Sequence, residues 1–254
     1  MVYKQSSLKE EKYSLSENGN KNIASAKISI IIPTLNESKH IKATLASTQA
    51  STNVEVIVVD GGSGDNTVDV AKSLGVTVIT GYQNRAIQMN AGAMNATGDI
   101  LLFLHADTLL PANFDAMIRK ALQQPHIVAG AFALRIDAPQ AGLRLVEWGV
   151  KWRSRWFQMP YGDQGIFITK EKFNDIGGFP QLPIMEDFQL LRNLKRLGKI
   201  TYIPVPVITS SRRWLKKGIL QTTLINQIVI IAYFMGVSPE RIRTWYRGEK
   251  LRKH

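Results

Sequence analysis

The sequence predicts an α/β fold, with a mixed, mainly parallel sheet flanked by helices. Short β-branched or apolar runs alternate with stretches whose apolar residues recur at helical spacing through the first 110 residues. Each run stops abruptly at a polar or glycine-rich segment, a pattern typical of buried parallel strands. A chain of 254 residues with 44% hydrophobic residues can also bury a substantial core.

The first half of the chain is predicted to form successive βαβ units. A β-branched run ends at Pro33, which cannot continue a central strand, and Ser38 can cap the helix that follows. Gly98 is expected to cap the third helix. The small residues of that helix permit either tight packing on the sheet or close approach of a ligand. The predicted strands are 28–32, 54–59, 76–80 and 100–104, and the predicted helices are 38–48, 68–74 and 86–96.

The second half continues with helices at 113–123, 142–157 and 185–197 and strands at 128–136, 166–169 and 200–205. Residues 142–157 interleave aromatic and basic side chains, which suits either a half-buried helix or one at a membrane interface. We divide the chain into a disordered leader (1–26), a domain (27–214) with halves 27–110 and 111–214, and an amphipathic helix with a basic tail (215–254).

Polar side chains follow the fourth strand at His105 and Asp107. In open α/β sheets ligands bind beyond the carboxyl ends of the strands, so these residues are candidates for a site, although they also suit a strand end and a turn. The segment after the second strand, Gly61-Gly62-Ser63-Gly64, does not match the dinucleotide-binding fingerprint. The chain has no cysteine, which excludes disulfides and thiolate chemistry.

The formal net charge is +12, and ten of the 32 Lys and Arg residues lie from Arg212 onward, against two Glu residues. A positive charge of this size favours phosphorylated ligands, anionic lipid or nucleic acid. We find no nucleic-acid-reading motif and expect no nucleic-acid partner. Residues 219–237 approach the length of a membrane span, but polar residues interrupt them. They suit either an anionic membrane surface or packing onto the domain.

Four linked segments carry a resemblance to a known family: ISIIIPTLNE, VEVIVVDGGSGDNT, NAGAMNATGDILLFLHADT and, in the second half, the YGDQG loop with KFNDIGGF. In order and spacing the chain resembles the family 2 inverting glycosyltransferases, which have the Rossmann-like GT-A fold. It resembles in particular a subgroup with HADT and GDQG segments. The resemblance implies an enzyme of the hexosyltransferase type that uses a UDP- or GDP-sugar donor and Mn²⁺ or Mg²⁺.

The resemblance also implies roles for residues of the nucleotide-binding half. Thr34, Glu37 and Asp60 correspond to nucleoside contacts. The metal-binding acidic motif of the family falls on His105-Ala106-Asp107, so its first carboxylate is a histidine here. Because Mg²⁺ and Mn²⁺ can be held by one carboxylate plus substrate phosphates, Asp107 is the expected metal ligand. His105 is expected to contact the donor, to orient Asp107 or to add an imidazole ligand.

In the second half, the resemblance places the general base at Asp187, with Glu186 as the alternative. Both acids would also favour a helix N-terminus through its dipole. Asp163 and Gln164 are expected to face the donor sugar or the acceptor. A cation suits an anionic ligand, so we expect donor-phosphate contacts from three arginines: Arg85 and either or both of Arg212 and Arg213.

The predicted function is therefore transfer of a single sugar, with inversion, to an acceptor hydroxyl of unknown identity, with a lipid or another membrane-associated molecule as one option. Ser210 replaces the glutamine of a motif found in processive members, which favours single transfer. The alternatives are an inactive GT-A module that binds membrane or nucleic acid, and a sugar nucleotidyltransferase. We expect a cytoplasmic protein, either free or peripheral on the cytoplasmic face of a membrane.

Overall fold

A computed structural model describes residues 22–49 and 51–247. Most of the predicted leader and the end of the basic tail lie outside the described residues. The leader boundary needs a correction, because residues 22–26 belong to the fold. Ile23–Ser25 form a 3-10 helix, Ala26 is buried, and the carbonyl of Ala26 accepts a hydrogen bond from Arg119 Nε at 2.9 Å.

The described residues form one mixed, mainly parallel sheet, as predicted. Its strand order is β3-β2-β1-β4-β7-β6-β8-β5. Strands β7 and β5 run antiparallel to their neighbours, whereas the pairs β1–β2, β1–β4, β2–β3 and β6–β8 are parallel. The strands are β1 Ile28–Thr34, β2 Val54–Asp60, β3 Thr77–Thr80, β4 Ile100–Phe103, β5 Thr108–Leu109, β6 Ile127–Asp137, β7 Ile166–Thr169 and β8 Lys199–Ser210.

Helices cover both faces of this sheet. The described helices are α1 Ile41–Thr48, α2 Thr67–Ser73, α3 Arg85–Asn95, α4 Phe114–Leu122, α5 Ala141–Phe157, α6 Lys170–Asp175, α7 Glu186–Leu194, α8 Arg212–Lys217, α9 Ile219–Phe234 and α10 Pro239–Arg247. Alternate residues of β1 point into two separate apolar clusters: Ile30 packs with α1 and α4 on one face, and Ile31 packs with α3 and α7 on the other. Burial on both faces explains the unbroken apolar runs in the sequence.

Two glycines serve close packing rather than ligand binding or capping. A Cβ on Gly92 of α3 would lie 2.4 Å from Ile31 Cγ2, so the small residue there lets the helix approach the sheet. Gly98 is not the cap of α3, because the helix ends at Asn95 with Ala96 as its C-cap. A Cβ on Gly98 would lie 2.6 Å from Ser29 Oγ and 2.7 Å from the carbonyl of Lys27.

The predicted amphipathic character of residues 219–237 is wrong, because α9 is apolar on two sides. One side packs on the domain, where Val229 and Ala232 join a cluster with Met185 and Phe188. The other side remains exposed and carries Leu220, Leu224, Ile228 and Ile231. No helix of the described residues is long and apolar enough to cross a membrane.

Candidate active site

The ends of β1 and β2 bring two predicted nucleoside contacts together. Thr34 and Asp60 are register partners, and Thr34 Oγ1 donates a hydrogen bond to Asp60 Oδ1 at 3.2 Å. Both residues are only 2% exposed. Asp60 Oδ2 also accepts the backbone N–H groups of Gly62 and Ser63 at 2.8 Å each, so the glycine-rich segment is folded around this carboxylate.

Arg212 lies between two predicted site residues on different strand ends. Its guanidinium forms an ion pair and hydrogen bonds with Glu37, and its Nη2 lies 3.2 Å from Asp107 Oδ2. These two carboxylates and its own side-chain hydrogen bond to Glu37 raise the pKa of Arg212. The predicted phosphate-binding cation is therefore bound to acidic side chains in this structure. Its side chain remains 47% exposed.

Arg85, at the start of α3, contacts both His105 and Glu186. Its Nη2 is hydrogen-bonded to His105 Nε2, and its Nε lies 3.4 Å from Glu186 Oε1. Burial, together with the charges of Arg85 and Arg212, lowers the pKa of His105 well below its ordinary value. His105 is therefore neutral, and its Nε2 lone pair accepts the Arg85 hydrogen bond. That lone pair is the one a metal would need.

The YGDQG loop holds Asp187 in place. The backbone N–H of Gly162 donates to Asp187 Oδ2 at 2.7 Å, and the N–H of Phe188 donates to Oδ1 at the same distance. A Cβ on Gly162 would lie 2.4 Å from Arg85 Nη2, 3.0 Å from Asp187 Oδ2 and 3.2 Å from His105 Nε2. A side chain at this position would crowd three residues of the site, so glycine suits the close approach of this backbone.

Gln164 does not face the donor or the acceptor, and this prediction is corrected. Its side chain is fully buried. Its Oε1 accepts from Ser154 Oγ at 3.1 Å and from the backbone N–H of Tyr161 at 3.0 Å, and its Nε2 donates to the carbonyl of Phe132 at 2.9 Å. Both ends of the amide are occupied, so Gln164 positions the loop and is unavailable to a ligand.

Asp163 of this loop lines the same cleft as two further acids, Glu186 and Asp187. Burial and the charges of Asp187 and Asp107 raise the pKa of Asp163 to about 6, against the opposing effect of Arg153 and Arg85. Burial and the neighbouring Asp187 also raise the pKa of Glu186, although Arg85 works in the other direction. Like charges in one partly buried space disfavour ionisation, so each of these acids opposes the ionised form of the others.

One cleft of about 330 Å³ gathers seven of the predicted residues: Arg85, His105, Asp107, Asp163, Glu186, Asp187 and Arg213. Thr34, Glu37 and Asp60 lie outside its lining, at the adjoining ends of β1 and β2. The cleft is also lined by Thr222 and Asn226 of α9 and by Arg243 and Tyr246 of α10. These four residues could not be predicted from the sequence, because nothing in the local pattern indicates that two C-terminal helices fold back over the strand ends.

The described residues contain no group of three or more His, Cys, Asp or Glu side chains that could hold a metal ion by themselves. Asp107 alone fits a divalent cation held jointly with phosphate oxygens, since its partly exposed carboxylate faces the cleft. His105 does not fit as a ligand through Nε2, because Arg85 occupies that nitrogen. The arrangement is therefore suited to a metal that arrives with a diphosphate.

The fold is of the GT-A type, and the structural neighbours agree with this assignment. A mannosyltransferase from Pyrobaculum calidifontis in complex with GDP-Man and Mn²⁺ matches with a TM-score of 0.61 at 18% identity, over 79% of this chain and 63% of that one. Glucosyl-3-phosphoglycerate synthase from Mycobacterium tuberculosis, in complex with Mn²⁺, UDP and glucosyl-3-phosphoglycerate, matches with a TM-score of 0.56 at 19% identity, over 74% and 75% of the two chains.

The chain belongs to glycosyl transferase family 2, whose model matches residues 29–222. A PGL/p-HBAD biosynthesis glycosyltransferase from Mycobacterium bovis is 41% identical over 97 residues, which is 35% of this chain and 38% of that protein. The chain spans 24% to 38% of the length of the first curated relatives it matches. The chain thus has the family membership and the fold that the sequence resemblance predicted.

Proposed function

We propose that this protein transfers a single sugar from a UDP- or GDP-sugar to an acceptor hydroxyl, with inversion at the anomeric carbon. The proposal is supported chiefly by the cleft, whose lining contains both Asp107 and Asp187. Thr34 and Asp60, the expected nucleoside contacts, pair at the ends of β1 and β2. Asp107 would hold Mn²⁺ or Mg²⁺ together with the donor diphosphate. The metal would supply positive charge to the departing diphosphate oxygens.

The chemistry assigned to this chain is removal of one proton. Asp187 accepts the proton of the acceptor hydroxyl while the hydroxyl oxygen bonds to the anomeric carbon. The bond from that carbon to the diphosphate breaks, and its electron pair leaves with the nucleoside diphosphate. Each Asp187 oxygen accepts one backbone N–H and retains a further lone pair for the acceptor. Glu186 is the weaker candidate for the base, because Arg85 pairs with it.

Donor binding is the direct test of this proposal. We expect the full chain to bind UDP or GDP more tightly with Mn²⁺ than without it, because one protein carboxylate cannot hold the ion alone. Calorimetry with both nucleotides, followed by hydrolysis of a panel of UDP- and GDP-sugars, measures this. Absence of nucleotide binding in every combination would remove the enzymatic proposal.

We further propose that the protein docks on an anionic membrane surface through α5 and α9. The exposed apolar row of α9 contains Leu224 and Ile228, and α5 exposes Trp148, Trp152 and Trp156. The two helices meet at their N-termini, where a Cβ on Gly142 would lie 3.4 Å from Ile219 Cδ1. Exposed basic residues lie in α5 (Lys151 and Arg155), just before α9 (Lys216 and Lys217) and in α10 (Arg241). Interfacial tryptophans with nearby cations suit anionic headgroups.

Co-sedimentation with phosphatidylserine-containing vesicles tests the docking surface. We expect binding at low salt that weakens as salt screens the basic residues. The pair Leu224→Asn and Ile228→Asn should reduce binding, since both side chains lie in the exposed row of α9. Leu197→Asn is the matched control, because Leu197 is an exposed leucine outside α5 and α9. Binding that is absent at low salt, or that is equally weakened by the control, contradicts the surface.

A further inference from the structure

One end of the cleft, where α9 and α10 close over it, carries polar side chains without partners. Thr222 is 1% exposed, lines the cleft, and its Oγ1 has no hydrogen-bond partner among the described residues. Arg243 Nε is likewise buried without a partner there. Leaving a buried hydroxyl and a buried guanidinium nitrogen without hydrogen bonds costs free energy of desolvation. A bound ligand that accepts hydrogen bonds from both groups would remove this cost.

A second guanidinium lies at the same end and is held in a fixed position. The Arg213 carbon Cζ lies 4.2 Å from the centre of the Tyr246 ring, and Arg213 also hydrogen-bonds the hydroxyl of Tyr246. Its Nη2 lies 3.5 Å from Asn226 Oδ1. These partners are neutral, so they orient Arg213 without neutralising it. The cleft therefore contains two cations near its C-terminal helices.

The acids of the cleft do not neutralise these two arginines. Glu186 pairs with Arg85 and Asp107 pairs with Arg212. Asp187 is held by backbone N–H groups. Within the described ranges, neither Arg213 nor Arg243 forms an ion pair with any carboxylate. Two uncompensated guanidinium groups facing one partly enclosed space favour an anion between them.

We infer that this end of the cleft binds a phosphate group carried by the acceptor, with Arg213, Arg243 and the Thr222 hydroxyl as donors. Two guanidinium charges match a phosphate monoester, which carries nearly two negative charges at neutral pH. That the phosphate belongs to the acceptor rests on the proposed glycosyl transfer, whereas the phosphate site itself does not. Arg213, which we expected to contact the donor phosphates, is thereby assigned to the acceptor.

Arginine modification by phenylglyoxal, read by mass spectrometry on the full chain, tests the site without requiring activity. Inorganic phosphate should protect Arg243 and leave the exposed Arg241 of the same helix unprotected. Farnesyl phosphate, compared with farnesol, tests a lipid-linked phosphate by calorimetry. Arg243→Gln should weaken farnesyl phosphate binding about tenfold or more, because a charge-assisted hydrogen bond is lost. Arg241→Gln is the charge-matched control. Arg243→Lys retains a cation at the site, so it should keep more farnesyl phosphate binding than Arg243→Gln if the loss reflects charge rather than unfolding.

The outcomes separate this inference from the proposed function. Protection of Arg243 by farnesyl phosphate supports a lipid phosphate, and protection by inorganic phosphate alone supports a water-soluble phosphorylated acceptor. If neither protects Arg243, or if Arg243→Gln weakens UDP and GDP binding by the same factor as farnesyl phosphate, the acceptor site is overturned. If UDP or GDP still binds when the acceptor site is overturned, the proposed glycosyl transfer is unaffected. Phosphate protection without nucleotide binding overturns the transferase proposal alone.

Discussion

Replacement of Asp187 by Asn is expected to lower kcat by about 10² to 10⁴-fold, the range of general base catalysis, while donor affinity stays near that of the wild type. Asn keeps the shape of the side chain but cannot take the acceptor proton. Donor affinity should persist because Asp187 contacts the backbone of Gly162 rather than Thr34 and Asp60, the proposed nucleoside contacts. Steady-state turnover and calorimetry with the same nucleotide measure the two quantities separately.

Two comparison variants make this result specific to Asp187. Glu186→Gln should reduce kcat less, since Glu186 already pairs with Arg85 at 3.4 Å. Glu171→Gln removes an exposed acid of α6, outside the cleft lining, and should leave turnover unchanged. A larger loss in Glu186→Gln would move the base to Glu186. Collapse of donor affinity in Asp187→Asn would contradict its role as a base, and unchanged turnover would show that another group takes the acceptor proton.

The positions of residues that follow β-branched runs could be predicted from the sequence. Asp60 and Asp107 could be predicted at one edge of the sheet, because carboxyl ends of parallel strands meet there and both residues come after buried runs. The ion pairing of Arg212 with Glu37 could not be predicted, since the two residues are 175 positions apart. Their meeting depends on where β8 returns along the sheet, which local patterns do not contain.

The length of β8 also could not be predicted from local sequence patterns. The sequence predicted a strand that ends at Val205, and Pro204 and Pro206 cannot donate to a ladder. The strand instead runs to Ser210, and its register with β6 shifts between the Phe132–Ile203 and Ala133–Pro206 pairs. An irregularity of this kind accommodates residues that lack a donor. Because β8 continues to Ser210, Arg212 and Arg213 lie just beyond its carboxyl end.

Helix α9 shows that composition does not identify a buried face. Its apolar residues surround the helix, so the sequence alone could not decide between packing and exposure. The structure has both, with Val229 against the domain and Leu224 exposed. The polar residues Thr222 and Asn226, which appeared to interrupt a hydrophobic run, line the cleft instead.

Replacement of Asp107 by Asn is expected to lower Mn²⁺-dependent donor turnover by about 10² to 10³-fold, the usual cost of losing one electrostatic contact at a developing charge. The substitution preserves size and removes the charge that a divalent cation requires. Arg212 keeps its pairing with Glu37, so the surrounding structure should persist. Turnover across a Mn²⁺ titration measures the loss, and higher Mn²⁺ should restore part of it because the diphosphate still supplies ligands.

The same titration decides the role of His105. His105→Ala should leave the Mn²⁺ dependence close to wild type, since the Nε2 lone pair accepts from Arg85 rather than facing a metal. Asp69→Asn, an exposed acid on α2, controls for loss of a carboxylate in general. If His105→Ala shifts the Mn²⁺ midpoint as far as Asp107→Asn does, His105 is a ligand and Arg85 must release it when the donor binds. An unchanged midpoint in Asp107→Asn would instead remove Asp107 as the metal anchor, which would leave the diphosphate contacts to the arginines of the cleft.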